Sequence, residues 1–296
     1  MKTALFTVSF AGLWGQHQLT LEETIEEAAR LGYDAVMPMG KRPHLSPLDY
    51  SVDACKRLRE RIDGLGIGCC GVAGYTNFTS DAGAAEVPFG EMQIEYVAQL
   101  AERAAALGGE MVRVFTSYEQ PGAPFFTQWD KTVKAIRECA DRTGEFGVSI
   151  SVQNHHDIAV VTEVLDEFID QVDRQNVVAN WDCWSPNLRG EDLAAGAGRM
   201  AKRMKMTIAA DYVVLPRARY EPSLVNYKNM EPAAVLAVPM GEGQLDYKTF
   251  FDSLKREGFD GWVVYENCSP LRHGGSLETL RRYSRAFLKY MKPWHA

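Results

Sequence analysis

The sequence predicts a (β/α)8 barrel, and three observations carry that expectation. The first is a recurring punctuation, an amphipathic helix, then a glycine, then a short apolar run. It stands at ARLGYDAV (29–36), DGLGIGCC (63–70), ALGGEMVRVF (106–115), RTGEFGVSISV (142–152) and REGFDGWVV (256–264). A glycine-free variant is DRQNVVANW (173–181). Glycine just past a helix takes the left-handed conformation that ends it. The second observation is that the apolar runs lack alternation, which suits strands buried on both faces and therefore parallel. The third is the count. With a first strand near 3–9 and the run MKMTIAA (204–210), eight strands fit in 296 residues, the size of such a barrel.

Taken in order, the first strand is followed by a helix opened by Thr20 and Glu23, a capping box. Further helices are expected near 51–62, 91–107, 129–142, 159–171, 190–203, 246–256 and 276–291. In the third helix Ile94, Val97, Ala98, Ala101, Ala105 and Leu107 trace one face at helical spacing. A doubly wound dinucleotide-binding sheet would carry GxGxxG after its first strand. The sequence there is SFAGLWGQH, which is not that motif. No linker or composition shift divides the chain, so one domain over 1–296 is expected. Two long loops, 211–245 and 72–90, follow strands seven and three on the side where barrel chemistry sits. The first carries Arg217, Arg219, Tyr220, Tyr227 and Lys228 and reads as a lid.

A net charge of −7 argues against a general nucleic-acid binder. No run of eighteen apolar residues is present, so no membrane span is expected. The start, MKTALFTVSFAGLWGQ, reads as a first strand rather than a signal peptide, since Ser9 and Gly12 interrupt it and no cleavage site follows. Cysteines 55, 69, 70, 139, 183 and 268 form no CxxC pair, which points to reduced thiols in a cytoplasmic protein.

Chemistry is expected where apolar strands stop. In GFDGWVVYENCSP (258–270), Glu266 directly follows the buried run Trp262–Tyr265, and Pro270 forbids a longer central strand. Asp182 stands likewise after VVANW, and strand five ends SISVQNHHD. Alternation puts Gln153 and His155 on one side of that strand, with His156 opening the loop. Each acid alone could be a solvated or turn carboxylate. Three strand ends bearing carboxylate, amide or imidazole suggest one convergent site suited to Mn²⁺, Mg²⁺, Fe²⁺ or Zn²⁺. A divalent ion there would polarise a substrate carbonyl. Trp14, His17, His44, Tyr75 and Asn77 follow the first three strands and suit sugar faces and hydroxyls. Arg113, between Val112 and Val114, reads as a paired cation of the barrel core, and Asp211 as a carboxylate orienting a ligand.

Over essentially its full length the chain resembles the sugar phosphate isomerase/epimerase family of xylose isomerase-like TIM barrels. The residues behind this are the strand-five QNH, Asp182 and the stretch GEGQLDYKTFFDSLKREGFDGWVVYE (241–266), in that order. The resemblance implies one metal held by a glutamate after strand five, an aspartate after strand six, a histidine on strand seven and a glutamate after strand eight. Asp182 and Glu266 match, whereas Gln153 replaces the first glutamate and Ile208 falls where the histidine would be. Inosose dehydratase and C-glycoside deglycosidase catalytic subunits are related members.

The expectation is therefore a metal-assisted sugar isomerase or epimerase that abstracts a proton next to a carbonyl of a carbohydrate or cyclitol. Alternatives are a lyase catalysing β-elimination and a non-catalytic binding or partner subunit. The expected metal ligands are Gln153, Asp182 and Glu266, with Mn²⁺ first among the ions. His155 and Glu266 are the expected catalytic residues. Trp14, His44, Tyr75, His156 and Arg217 are expected against the substrate. A homo-oligomer or a small partner subunit is compatible with this reading.

Overall fold

The computed structural model describes residues 1–82 and 86–295. The middle of the 72–90 loop, at 83–85, lies outside them. In chain order the elements begin with β1 (Lys2–Phe6), α1 (Leu21–Leu31), β2 (Ala35–Met37), α2 (Val52–Gly64), β3 (Gly68–Cys69) and β4 (Val72–Ala73). Next come α3 (Phe89–Ala106), β5 (Met111–Phe115), α4 (Phe125–Gly144), β6 (Ser149–Gln153), α5 (Thr162–Val172) and β7 (Val177–Asn180). The chain continues with α6 (Trp184–Leu188), α7 (Leu193–Met200), β8 (Met206–Ala209), β9 (Asp211–Glu221) and β10 (Asn226–Val238). It ends with α8 (Tyr247–Arg256), β11 (Trp262–Tyr265) and α9 (Leu277–Met291).

Two runs of parallel pairing, β3-β2-β1-β11-β8 and β4-β5-β6-β7, make up the barrel wall. Parallel bridges Met39–Ala73 and Ala179–Met204 join the two runs at both seams. The third barrel strand is split into β3 and β4 around Gly71, where a Cβ would stand 2.5 Å from the Met111 carbonyl oxygen. That close approach explains why a glycine occupies the seam. The first strand stops at Phe6, short of the expected 3–9, and continues as a 3-10 turn at Thr7–Phe10. Hydroxyls hold the turn, since Met39 N donates to Thr7 Oγ1 and Asn267 N to Ser9 Oγ.

Strand alternation sorts the side chains into two cores. Val112 and Val114 of β5 pack outward with the helices, as do Ile150 and Val152 of β6. The interior is filled by Ala4, Phe6, Met37, Met111, Met206 and Ile208, among others. The expected capping box forms, with Thr20 and Glu23 each bonding the other's backbone N–H. Among the described residues, no helix is long and apolar enough to cross a membrane.

The largest departure from expectation is at 211–245. Instead of an irregular loop, β9 and β10 pair antiparallel from Asp211–Val238 out to Glu221–Asn226. Its outer half is exposed on both strands, so no buried face supplied the alternation that reveals a strand. Asp211 clasps its base, with Oδ2 accepting from Gly241 N and Gly243 N at 2.9 Å each and Oδ1 from Tyr212 N at 2.9 Å. A Cβ on Gly243 would fall 1.8 Å from Asp211 Oδ1. Asp211 therefore anchors the hairpin, a use that the ligand-orienting expectation did not include.

Candidate active site

Two adjoining cavities open at the carboxyl ends of the barrel strands. The smaller, about 180 Å³, is lined by Gln153, Asp182, Ile208, Tyr212, Val235 and Glu266 among others. The larger, about 520 Å³, is lined by aromatic and cationic groups including Trp14, Lys41, Tyr75, Arg113 and Tyr118. Gln153, His155, Glu266 and Cys268 border both.

Asp182 sits where β7 ends. Its Oδ2 accepts from Gln153 Nε2 at 2.8 Å, and its Oδ1 from Trp184 N at 3.0 Å and Ser185 N at 3.5 Å. Asn154 straps its backbone on both sides, accepting from Asp182 N and donating to Asp182 O. Burial raises the Asp182 carboxyl to about 7 against the pull of the Gln153 bond, with the Glu266 charge adding to the rise. Glu266 is also raised by burial, opposed by a bond from Cys268 and by the Arg113 charge. Cys268 Sγ donates to Glu266 Oε1 at 3.0 Å, and Tyr212 OH lies 3.4 Å from the same sulfur. Two carboxylates held in partial burial near each other are the arrangement that a cation or a shared proton relieves.

His155 has a defined tautomer. Its Nδ1 accepts from His156 N at 2.8 Å, so in the neutral ring the proton is on Nε2. Burial lowers His155 to about 3, with His156 and Arg113 adding to the drop. A neutral imidazole with Nδ1 engaged is a hydrogen-bond donor at Nε2, so the base role expected for it lacks a free lone pair. His156 is lowered to about 4 by burial and by Arg113. Its ring stacks on Tyr118 at 3.9 Å between centroids. Its φ of 68° is left-handed, as are Trp14 at 54° and Ser117 at 80°. Such non-glycine strain gathers where surroundings hold a side chain in a required place.

Of the residues singled out in the sequence, Gln153, His155, Asp182 and Glu266 meet in the smaller cavity. Trp14, Tyr75, Asn77 and His156 meet in the larger. Two expected substrate contacts stand elsewhere. His44 is buried, with Nε2 donating to Leu19 O at 3.1 Å and Nδ1 accepting from Thr7 Oγ1 at 2.8 Å, so both nitrogens are used in packing. Arg217 lies on the exposed part of the hairpin and donates to Pro232 O. Arg219 is exposed there too, 3.4 Å from Glu221. Lys41, Tyr118 and Cys268 are cavity residues that sequence reasoning missed. The run ENCSP offered a signal for Cys268, two residues beyond Glu266 just past the end of β11.

A family model described as xylose isomerase-like TIM barrel matches residues 25–291. The chain belongs to that family. The chain spans about half the length of the curated relatives it matches. This xylose isomerase-like barrel is 25% identical over 146 residues to inosose dehydratase of Geobacillus thermodenitrificans (strain NG80-2), covering 48% of this chain and 49% of the relative. It is 28% identical over 144 residues to the rhizopine catabolism protein MocC of Rhizobium meliloti, covering 47% of this chain and 42% of the relative. Among solved structures, it superposes on D-psicose 3-epimerase from Clostridium cellulolyticum H10 with TM-score 0.75, 17% identity and 99% coverage of each chain. The IOLI protein with a bound zinc atom gives TM-score 0.76, 16% identity and 100% coverage of each. At these identities the solved structures establish the fold of the xylose isomerase-like barrel and nothing finer.

Proposed function

We propose that this protein removes a proton from the carbon beside a carbonyl of a sugar or cyclitol, in a site that also takes a divalent ion. The observation that carries the reading is the smaller cavity, where Asp182 and Glu266 share a half-enclosed space with an amide and a neutral imidazole. Among the described residues no three His, Cys, Asp or Glu side chains gather as a ligand cluster. The donor set is thus reduced to Asp182, Glu266 and the Gln153 amide oxygen, all oxygen. It fits a hard ion such as Mn²⁺ or Mg²⁺ better than Zn²⁺. Ile208, buried in the interior, adds no donor. Gln153 would turn its amide to present Oε1 in place of the Nε2 that now bonds Asp182. When bound, the ion would polarise the substrate carbonyl.

The chain's own groups divide the rest. Among the described residues, Glu266 Oε2 has no hydrogen-bond partner, and burial makes the carboxylate more basic. Glu266 is therefore the group to accept the proton. His155 donates its Nε2–H to the oxygen on which charge develops, the role a neutral imidazole fills best. Trp14, Tyr75 and Tyr118 offer ring faces to the substrate.

A single base serves a same-face proton shift, hence isomerisation. β-Elimination is the second reading, and one base suffices for it too. The similarity to inosose dehydratase favours it over an epimerisation needing a proton acceptor on each face. The test is incubation with ketoses and inososes in D₂O with Mn²⁺, followed by NMR. Deuterium beside the carbonyl is expected. A rearranged ketose or aldose then indicates isomerisation, and a product that has lost water indicates elimination. No exchange and no product across the panel would sink the reading in favour of a binding subunit.

A further inference from the structure

Arg113 occupies an unusual place. It is in the middle of β5, 2% exposed, with its side chain in the barrel interior. A cation there is ordinarily paired with a carboxylate, because desolvating it alone is costly. Here aromatic faces hold it instead. Its Cζ lies 4.1 Å from the Phe115 ring centroid, 5.1 Å from Tyr75 and 5.4 Å from Phe6. Such contacts ease the burial of the charge and leave the N–H fork unused. Among the described residues, Nε and Nη1 are buried without a hydrogen-bond partner, and so is the Tyr75 hydroxyl.

A second cation faces the same space. Lys41 extends its Nζ to 3.9 Å from the Tyr75 ring centroid, and both line the larger cavity with Arg113. Burial and the Arg113 charge together lower the Lys41 ammonium, as two cations sharing one cavity require. Glu266, the carboxylate on that wall, has Oε1 engaged by Cys268. Free guanidinium N–H groups, an ammonium and a free hydroxyl on one side of a 520 Å³ cavity are the parts of an oxyanion receptor.

We infer that the larger cavity takes a substrate carrying a carboxylate or a phosphate, received by Arg113, Lys41 and the Tyr75 hydroxyl. The inference rests on the proton-abstraction reading only for which end of the substrate is meant. The reacting carbon faces Glu266, and the anionic group faces Arg113 and Lys41.

Calorimetric titration of the full chain with three ring-matched probes, D-glucose, D-glucuronate and D-glucose 6-phosphate, tests this without requiring turnover. At least one charged probe should bind about 10- to 100-fold tighter than glucose, the range for charge-assisted bonds from an Arg fork. Glucuronate alone in that role assigns a carboxylate, and glucose 6-phosphate alone a phosphate. Arg113→Met, which keeps a side chain against the rings, should erase the advantage. Lys41→Gln and Tyr75→Phe should each reduce it several-fold, and they serve if the Arg113 variant does not fold. Glucose binding as tightly as both anions, no saturable binding of either anion, or an advantage unchanged in the folded variants would overturn the inference. Anion binding without deuterium exchange on any ketone would leave it standing and remove the proton-abstraction reading. Exchange without anion preference would do the reverse.

Discussion

The two cavities of this barrel differ in sign, a difference that under the proposed reading separates chemistry from recognition. The smaller is anionic, built from Asp182 and Glu266 at strand ends, and each carboxylate has at least one oxygen hydrogen-bonded to its surroundings. The larger is aromatic and cationic, and its most buried charge, Arg113, has unused donors. A group already tied down is positioned to act on a substrate, whereas a group with unused donors is positioned to be satisfied by one. His155 borders both cavities and would span the carbonyl between them.

Removing the base should break that division most sharply. Glu266→Gln should lower kcat by about 10²- to 10⁴-fold, the usual worth of general base catalysis, with melting temperature nearly unchanged. Steady-state kinetics and a thermal melt decide it. Wild-type kcat in that variant would move the base elsewhere.

His155 comes next. His155→Ala should cost about 10²-fold in kcat, as for a lost oxyanion donor. His155→Gln keeps an N–H and should recover part of the loss. A Gln variant as slow as the Ala variant would return His155 to the role of proton acceptor.

Gln153→Glu sharpens the anionic side. A third carboxylate should tighten Mn²⁺ binding by about 10-fold, since affinity follows ligand charge. Without the ion, the same variant places another charge beside buried Asp182, so its melting temperature should drop and Mn²⁺ should restore it. Equal Mn²⁺ affinity by titration in both proteins would exclude Gln153 from the ligands.

A smaller effect is expected at the hairpin, which we propose acts as a lid through its base. Tyr212 and Val235 line the smaller cavity, while the outer residues stand in solvent. Replacing 216–233 by a short turn between Leu215 and Ala234 should raise KM by about a few-fold and leave stability nearly intact. A change in kcat as large as that of Glu266→Gln would mean that the outer hairpin reaches the reacting groups.

The smallest effect concerns His44. Burial lowers its affinity for protons in the folded state, against a weaker rise from its bond to Leu19 O. The unfolded chain therefore binds the proton first as pH falls below about 6.5, and the stability that neutral His44 contributes above that value is lost on acidification. Melting temperature should fall from about pH 7 to about pH 5 more in the wild type than in His44→Gln. Parallel curves would show that His44 titrates as it does in the unfolded chain.

Reading the sequence found the barrel because each strand and its preceding helix leave a local trace. The glycine after the helix, the two-faced apolar run and the capping box at Thr20 depend on neighbours a few residues apart. Asp182 and Glu266 were legible for the same reason, each being a carboxylate directly after an apolar run. The hairpin was not, since solvent surrounds its outer half and imposes no alternation. His44, Arg217 and Arg113 were misjudged because a side chain's partner is a matter of distance through space. Only the closed barrel sets Thr7 and Leu19 O against His44, and sends Arg217 out to Pro232. The barrel likewise encloses Arg113 with three rings drawn from three strand ends. The order of residues thus determined which strand ends carry acids. The tertiary structure alone decided which charges are satisfied by the protein and which are left for a ligand, because that depends on groups far apart in the chain and close in space.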